Sequence, residues 1–101
     1  VTACPVVCDA LGDSTRREIL EALRRKPASV GQLASVLPVS RPAVSQHLKV
    51  LHTAGLVGFR EEGTRNVYHL RPEGLEPLRR WLDEFWQDAL DSFAAFVESQ
   101  D

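Results

Sequence analysis

The sequence holds 101 residues, with 44% hydrophobic and 26% charged side chains and a formal net charge of −2. That is enough chain for one domain with a modest core, and the composition excludes a disordered polyelectrolyte. No apolar run approaches the roughly 20 residues a bilayer span needs, and Val1 to Asp9 lacks the basic start and length of a signal peptide, so a cytoplasmic protein without a membrane partner is expected.

In chain order, Pro5 to Leu11 is predicted as a short helix. Asp13 stands where an N-cap belongs, with Thr15 and Glu18 as a second capping pair, and Ile19, Leu20 and Leu23 give the next helix its apolar face. Arg24, Arg25 and Lys26 place positive charge in its last turn, and Pro27 ends it. Ser29 and Gln32 have capping-box spacing at the head of a third helix, with Leu33, Ala34 and Leu37 as its buried stripe. Pro38-Val39 breaks that helix. Ser40 caps a fourth, predicted through Ala54, with Gly55 as its left-handed C-terminal cap and Leu56 folding back onto it.

Two short helices joined by a tight turn form a helix-turn-helix pattern. Leu56 to Arg60 and Asn66 to Leu70 have strand character, and Glu61 to Arg65, centred on Gly63, joins them as a hairpin. A hairpin after such helices makes the winged variant. Pro77 belongs in a first turn, so the last helix is predicted to begin near Gly74. The expected fold is therefore mainly α with a small β-hairpin. Residues 1–71 would form a winged helix-turn-helix body, and residues 72–101 a C-terminal dimerisation helix of the same structural domain. The chain contains no Met, which leads us to expect that its natural start is trimmed or omitted.

Charge is unevenly spread. From Asp13 to Arg71 ten basic residues face five acids, whereas after Arg71 two bases face eight acids. A basic body with an acidic tail suits a protein that offers one side to phosphates. On the predicted fourth helix Val44, Leu48 and Leu51 fall inward, while Pro42, Ser45, Gln46, Lys49 and Thr53 fall outward. Short polar groups beside Gln and Lys suit a helix lying in a major groove, where Gln can pair with adenine through two hydrogen bonds and small Ala43 permits close approach. Ser40 and Arg41 sit where the helix N-terminus attracts phosphate. On the wing, Arg60, Thr64, Arg65 and Asn66 can reach a phosphate strand or a minor groove; Glu61 and Glu62 oppose laying the whole loop on DNA.

The run Ala10-Leu11-Gly12-Asp13-Ser14-Thr15-Arg16-Arg17-Glu18-Ile19-Leu20 resembles the opening of the ArsR/SmtB family of arsenical- and metal-responsive repressors. Gln32-Leu33-Ala34, Val39 to Leu48 and Leu51-His52-Thr53-Ala54-Gly55-Leu56-Val57 continue it, so the resemblance spans roughly residues 7 to 71. It implies a homodimer that represses transcription and leaves DNA when an effector binds. The family's metal motifs depart here. Ser29-Val30-Gly31 stands where arsenic and cadmium sensors carry two cysteines around a valine, and the tail has carboxylates but no His. Neither metal site is expected, nor any cofactor, and the effector is unknown.

Cys4 and Cys8 are spaced to share a helix face as a redox pair or a soft-metal half-site; the alternative for Cys8 is a small buried core residue. His47 is expected to pack beside the buried side of the fourth helix. In the last helix Leu75, Leu78, Leu82, Phe85, Trp86, Ala89, Leu90, Phe93, Phe96 and Val97 share one side, with Trp81 at its edge. The stripe is too wide for one small domain, so it is expected to pack both on the N-terminal helix and on a second copy. A twofold dimer would set two reading helices about 34–36 Å apart on double-stranded DNA and predict a roughly palindromic operator. A winged-helix module used for protein contact is the competing reading. No Gly-rich phosphate loop, nucleophile elbow or His-Glu metal pair points to an enzyme.

Overall fold

The computed structural model describes residues 3–100, with side chains described from Pro5 onward. The elements run α1 (Ala3–Leu11), α2 (Ser14–Arg25), β1 (Ala28–Ser29), α3 (Val30–Val36), α4 (Arg41–Thr53), β2 (Val57–Glu62), β3 (Arg65–Leu70), a 3₁₀ turn (Pro72–Leu75) and α5 (Glu76–Ser99).

Helix boundaries follow cap chemistry. The Asp13 carboxylate accepts the Arg16 N–H at 3.0 Å, so α2 starts directly after it. Thr15 and Glu18 lie inside that helix, and the second capping pair is not its start. At α3 the box is complete: Ser29 Oγ accepts from Gln32 N–H at 3.2 Å, and Gln32 Oε1 accepts from Ser29 N–H at 2.9 Å. Ser40 Oγ accepts from Ala43 N–H at 3.3 Å to open α4. At its far end Leu56 N–H reaches the Leu51 carbonyl and Gly55 N–H the His52 carbonyl, each at 3.0 Å. This is a Schellman closure, with Gly55 at φ +81°. Leu51 and Leu56 are both buried beside it.

The core gathers one stripe from each helix. Ile19 and Leu23 of α2, Leu33 of α3, and Val44, Leu48 and Leu51 of α4 meet Val7, Ala10, Leu56 and Val57. Ile19, Val44, Leu48, Leu51 and Val57 are fully buried, each side chain contributing about 1.5–3 kcal/mol by its removal from water. α1 is fastened from below. Arg16 Nε donates to the Ala10 carbonyl at 2.7 Å and Nη2 to Asp9 at 3.0 Å, while Arg17 Nη1 donates to Leu11 at 2.7 Å. Two guanidinium groups thus reach the carbonyls of the last turn of α1, of which Asp9 also accepts from Gly12 N–H at 3.1 Å.

The sheet has three antiparallel strands in the order β1-β3-β2, one more than the expected hairpin. Ala28 pairs with Tyr68 and Ser29 with Val67, so the residue that caps α3 also belongs to the sheet. The hairpin is tighter than expected. Glu62 pairs with Arg65, leaving only Gly63 and Thr64 in the turn. Gly63 alone of the two has positive φ, +64°, the sign pattern of a type II′ turn.

α5 begins at Glu76, two residues beyond the expected Gly74, because Pro72–Leu75 forms a separate 3₁₀ turn; Pro77 sits in its first turn. Its 24 residues span about 36 Å and leave the body behind. The protomer measures 67 × 24 × 21 Å, with a radius of gyration of 17.9 Å against about 13 Å for a compact chain of this length. Among the described residues, no helix is long and apolar enough to cross a membrane.

Candidate nucleic-acid interface

α4 presents two chemically opposite faces. Val44, Leu48 and Leu51 are buried, whereas Arg41, Pro42, Ser45, Gln46, Lys49 and Thr53 are exposed. Ala43 is half-buried, its N–H committed to the Ser40 cap. His47 is half-buried at the border, close enough to Asp13 for its charge to favour that carboxylate. The wide polar face of α4 is thus held out by a fully packed inner one.

A groove of about 610 Å³ runs beside this face. Arg41 and Ser45 of α4, Arg65, Asn66 and Tyr68 of β3, and the start of α3 line it. Two guanidinium-bearing side chains, one from the head of the exposed helix and one beside the wing tip, therefore open onto one depression. The Arg41 guanidinium lies over Gly31, about where a Cβ would meet it at 3.0 Å. Gly31, Ser35 and Tyr68 are groove residues that sequence reasoning did not single out. The Ser29–Gln32 capping box was the available signal, since it fixes where α3 begins.

The other wing residues go elsewhere. Arg60 donates to Glu62 Oε2 at 3.0 Å on the exposed sheet edge, so it does not join Arg41 and Arg65. Thr64 is exposed at the hairpin tip. Phe59 packs in tilted geometry between His52 and Tyr68, with ring centroids 5.5 and 5.3 Å away, tying the end of α4 to the wing.

The stripe on α5 is open. Leu75, Leu82, Phe85, Trp86, Leu90, Phe93, Phe96 and Val97 are between 42% and 67% exposed, far more apolar surface than scattered single residues require. Ala89 is exposed with them. Leu78 is half-buried on the protomer's own core, the inward part of the packing expected of the stripe, because it lies on the first turns of α5, which still run beside the body. Cys8 is exposed, which overturns the buried alternative for it, and it lies with Trp81 along a cleft between α1 and α5. The side chain of Cys4 lies outside the described residues. Among the described residues, no three His, Cys, Asp or Glu side chains are grouped so as to hold a metal ion.

A capped helix pair, a short turn, an outward polar helix and a β-hairpin with Arg65 beside its tip together define a winged helix-turn-helix DNA-binding fold. Comparison with known proteins agrees and narrows it. Residues 13–58 match the family described as bacterial regulatory protein, arsR family. The HTH-type transcriptional regulator Rv2034 of Mycobacterium tuberculosis is 58% identical over 91 residues, covering 90% of this chain and 85% of that protein. An ArsR-like transcriptional regulator from Rhodococcus sp. RHA1 superposes with a TM-score of 0.83 at 35% identity, covering 94% of this chain and 90% of that one. The homodimeric winged helix-turn-helix DNA-binding domain of Mb0332 from Mycobacterium bovis, a possible ArsR-family transcriptional regulator, superposes at 0.70 with 27% identity, covering 89% and 83%. This chain belongs to the ArsR family and is a DNA-binding transcriptional regulator.

Proposed function

We propose that the chain works as a homodimeric repressor. Two copies pair through the apolar stripe of α5, and each lays α4 in one of two successive major grooves of a roughly palindromic operator. In this reading Gln46 and Ser45 read base edges, and Ser40, Arg41, Lys49 and Arg65 hold phosphates. Asn66 sits beside Arg65 as a backbone contact. Pro42 and Ala43 let the duplex come close. Arg60 and Thr64 are peripheral, Arg60 because Glu62 already neutralises it.

The observation that carries this reading is the groove shared by Arg41 and Arg65 alongside the exposed row Ser45, Gln46, Lys49. A phosphate strand following that groove meets two positive side chains and the amino end of α4, both favourable to anions. A dimer seated on a promoter blocks it, and an effector that alters the spacing of the two α4 helices releases it. The test is selection of bound duplexes from a random pool, followed by salt titration of the winner. The expected product is an inverted repeat with half-sites about 10 bp apart, whose affinity falls steeply with salt. A chain that sediments as a lone subunit and retains no duplex at low salt overturns the reading. In that case the winged-helix body would serve protein contact instead.

A further inference from the structure

The junction between the wing and α5 encloses a second cavity. Leu11, Leu20, Leu56, Leu70 and Leu75 line a cleft of about 280 Å³ between α2 and the 3₁₀ turn. Leu56 is buried at its floor, Leu11, Leu20 and Leu70 are half-buried on its walls, and Leu75 is exposed at its mouth. The volume lies just under the about 300–1,000 Å³ usual for small-molecule sites, so it fits a short chain rather than a large ring system or a peptide helix.

The mouth has a definite charge. Arg17, Arg24 and Arg71 surround it with Glu21 as the carboxylate among them. Arg24 lies 3.5 Å from Glu21, and Arg71 pairs with Glu73 at 3.1 Å. Arg17 donates one N–H to the Leu11 carbonyl and, among the described residues, pairs with no carboxylate, so its charge is left over at the rim. An apolar pocket with one surplus cation at its edge complements a single-headed anion on a hydrocarbon chain.

We propose that this cleft binds a medium-chain monocarboxylate, its alkyl chain among the leucines and its carboxylate beside Arg17. The cleft adjoins the segment that ties the reading helix to the tail: Arg71 N–H donates to the Leu56 carbonyl at 2.9 Å, and Gly74 abuts Gly55. An occupant wedged there changes how α5 leaves the body. That consequence rests on the dimeric DNA-reading function proposed above; binding itself does not.

The experiment uses the full chain labelled with ¹⁵N and titrated with octanoate, hexanoate and octanol. Octanoate should shift the amides of Leu20, Leu56, Leu70 and Arg71, and bind about fourfold tighter per methylene than hexanoate. Arg17→Gln should weaken it about threefold, and Arg17→Lys should restore much of the loss. Leu20→Phe, which fills the cleft, should abolish the shifts; if that variant does not fold, the Arg17 pair decides. Octanol binding as tightly as octanoate overturns the proposal, as does silence at those four amides. Amides that respond to dilution of the dimer but not to octanoate assign the cleft to a second copy and overturn it equally. Operator affinity is read separately. Octanoate binding by a chain that retains no duplex would sink the proposed function and leave this site standing.

Discussion

Gly74, in the 3₁₀ turn before α5, abuts the carbonyl of Gly55, the residue that closes α4. A Cβ on Gly74 would collide with that oxygen and crowd Leu56 Cα at 3.2 Å. The end of α4 and the turn that opens α5 are therefore in backbone contact. Gly74→Ala is expected to cost about 1–3 kcal/mol, the range for overpacking, seen as a lower denaturant midpoint with an unchanged slope. An unaltered midpoint would mean that the turn yields freely.

Gly55 makes the opposite case. Its φ of +81° disfavours any L side chain, yet nothing lies within 4 Å of where a Cβ would sit. Gly55→Ala should cost about 1–2 kcal/mol from backbone strain alone, and Gly55→Asn should recover part of it. Equal melting temperatures for the Ala and Asn variants would argue against the left-handed cap as the cause.

Asp13 couples folding to pH. The Arg16 backbone N–H that its carboxylate accepts holds its pKa below the ordinary 3.8, with smaller help from Thr15, His47 and the Arg16 charge. Because the folded value is depressed, its contribution is complete above about 3.8 and is lost as pH falls through the folded value. Asp13→Asn keeps an acceptor but not the charge. Its melting temperature should lie below the parent's at neutral pH, and the gap should close as pH falls below 3.8 through the folded value. Glu73 and Glu76 are lowered too, by hydrogen bonds to the Glu73 backbone and Arg79 respectively, so the difference between the two proteins is the quantity to follow. A constant gap across that range would remove Asp13 from the acid response.

Gln46 and Arg65 should fail differently. Gln46→Ala is expected to relax preference at one base pair, at a cost of about 1–3 kcal/mol for the preferred sequence. Arg65→Ala should weaken all duplexes alike and lower the salt slope by about 1. Matching losses, sequence for sequence, would contradict separate reading and positioning roles.

Phe93, 65% exposed in the outer half of α5, tests the pairing surface. Phe93→Glu should raise the dimer dissociation constant by about two orders of magnitude, near 3 kcal/mol, in sedimentation equilibrium. At concentrations where both proteins are monomers, thermal stability of the body should change little, because α5 contributes no fully buried residue to it.

Most of the fold was legible where single side chains fix backbone groups. Asp13, Ser29 with Gln32, Ser40, Gly55 and Gly63 each mark a cap or turn whose chemistry is local, and the structure uses all of them. β1 was not legible: two residues are too few to show alternation, and Ala28-Ser29 is a strand only because β3 offers an edge beside it. The wing turn is narrower than the sequence suggests, because Glu61, Glu62 and Arg65 look like loop residues although their backbones complete the ladder. In the candidate site, the inward and outward faces of α4 followed from helical spacing. Arg60 and Glu62, two apart on β2, share a face by strand period, whereas the packing of Leu78 and the exposure of Cys8 depend on tertiary placement that spacing does not contain. The groove joining Arg41 to Arg65 is of the same kind, since 24 positions of sequence separate the two residues.

The long reach of α5 makes it a measuring rod. If two copies clasp along it, sliding the clasp by one helical turn shifts one body relative to the other by about 5.4 Å, a sizeable fraction of the roughly 34 Å repeat of the duplex. The sequence of aromatic knobs along α5 would then be a tuning scale: inserting three or four residues near Ala89 should retune the gap between half-sites without touching a single group that meets a base.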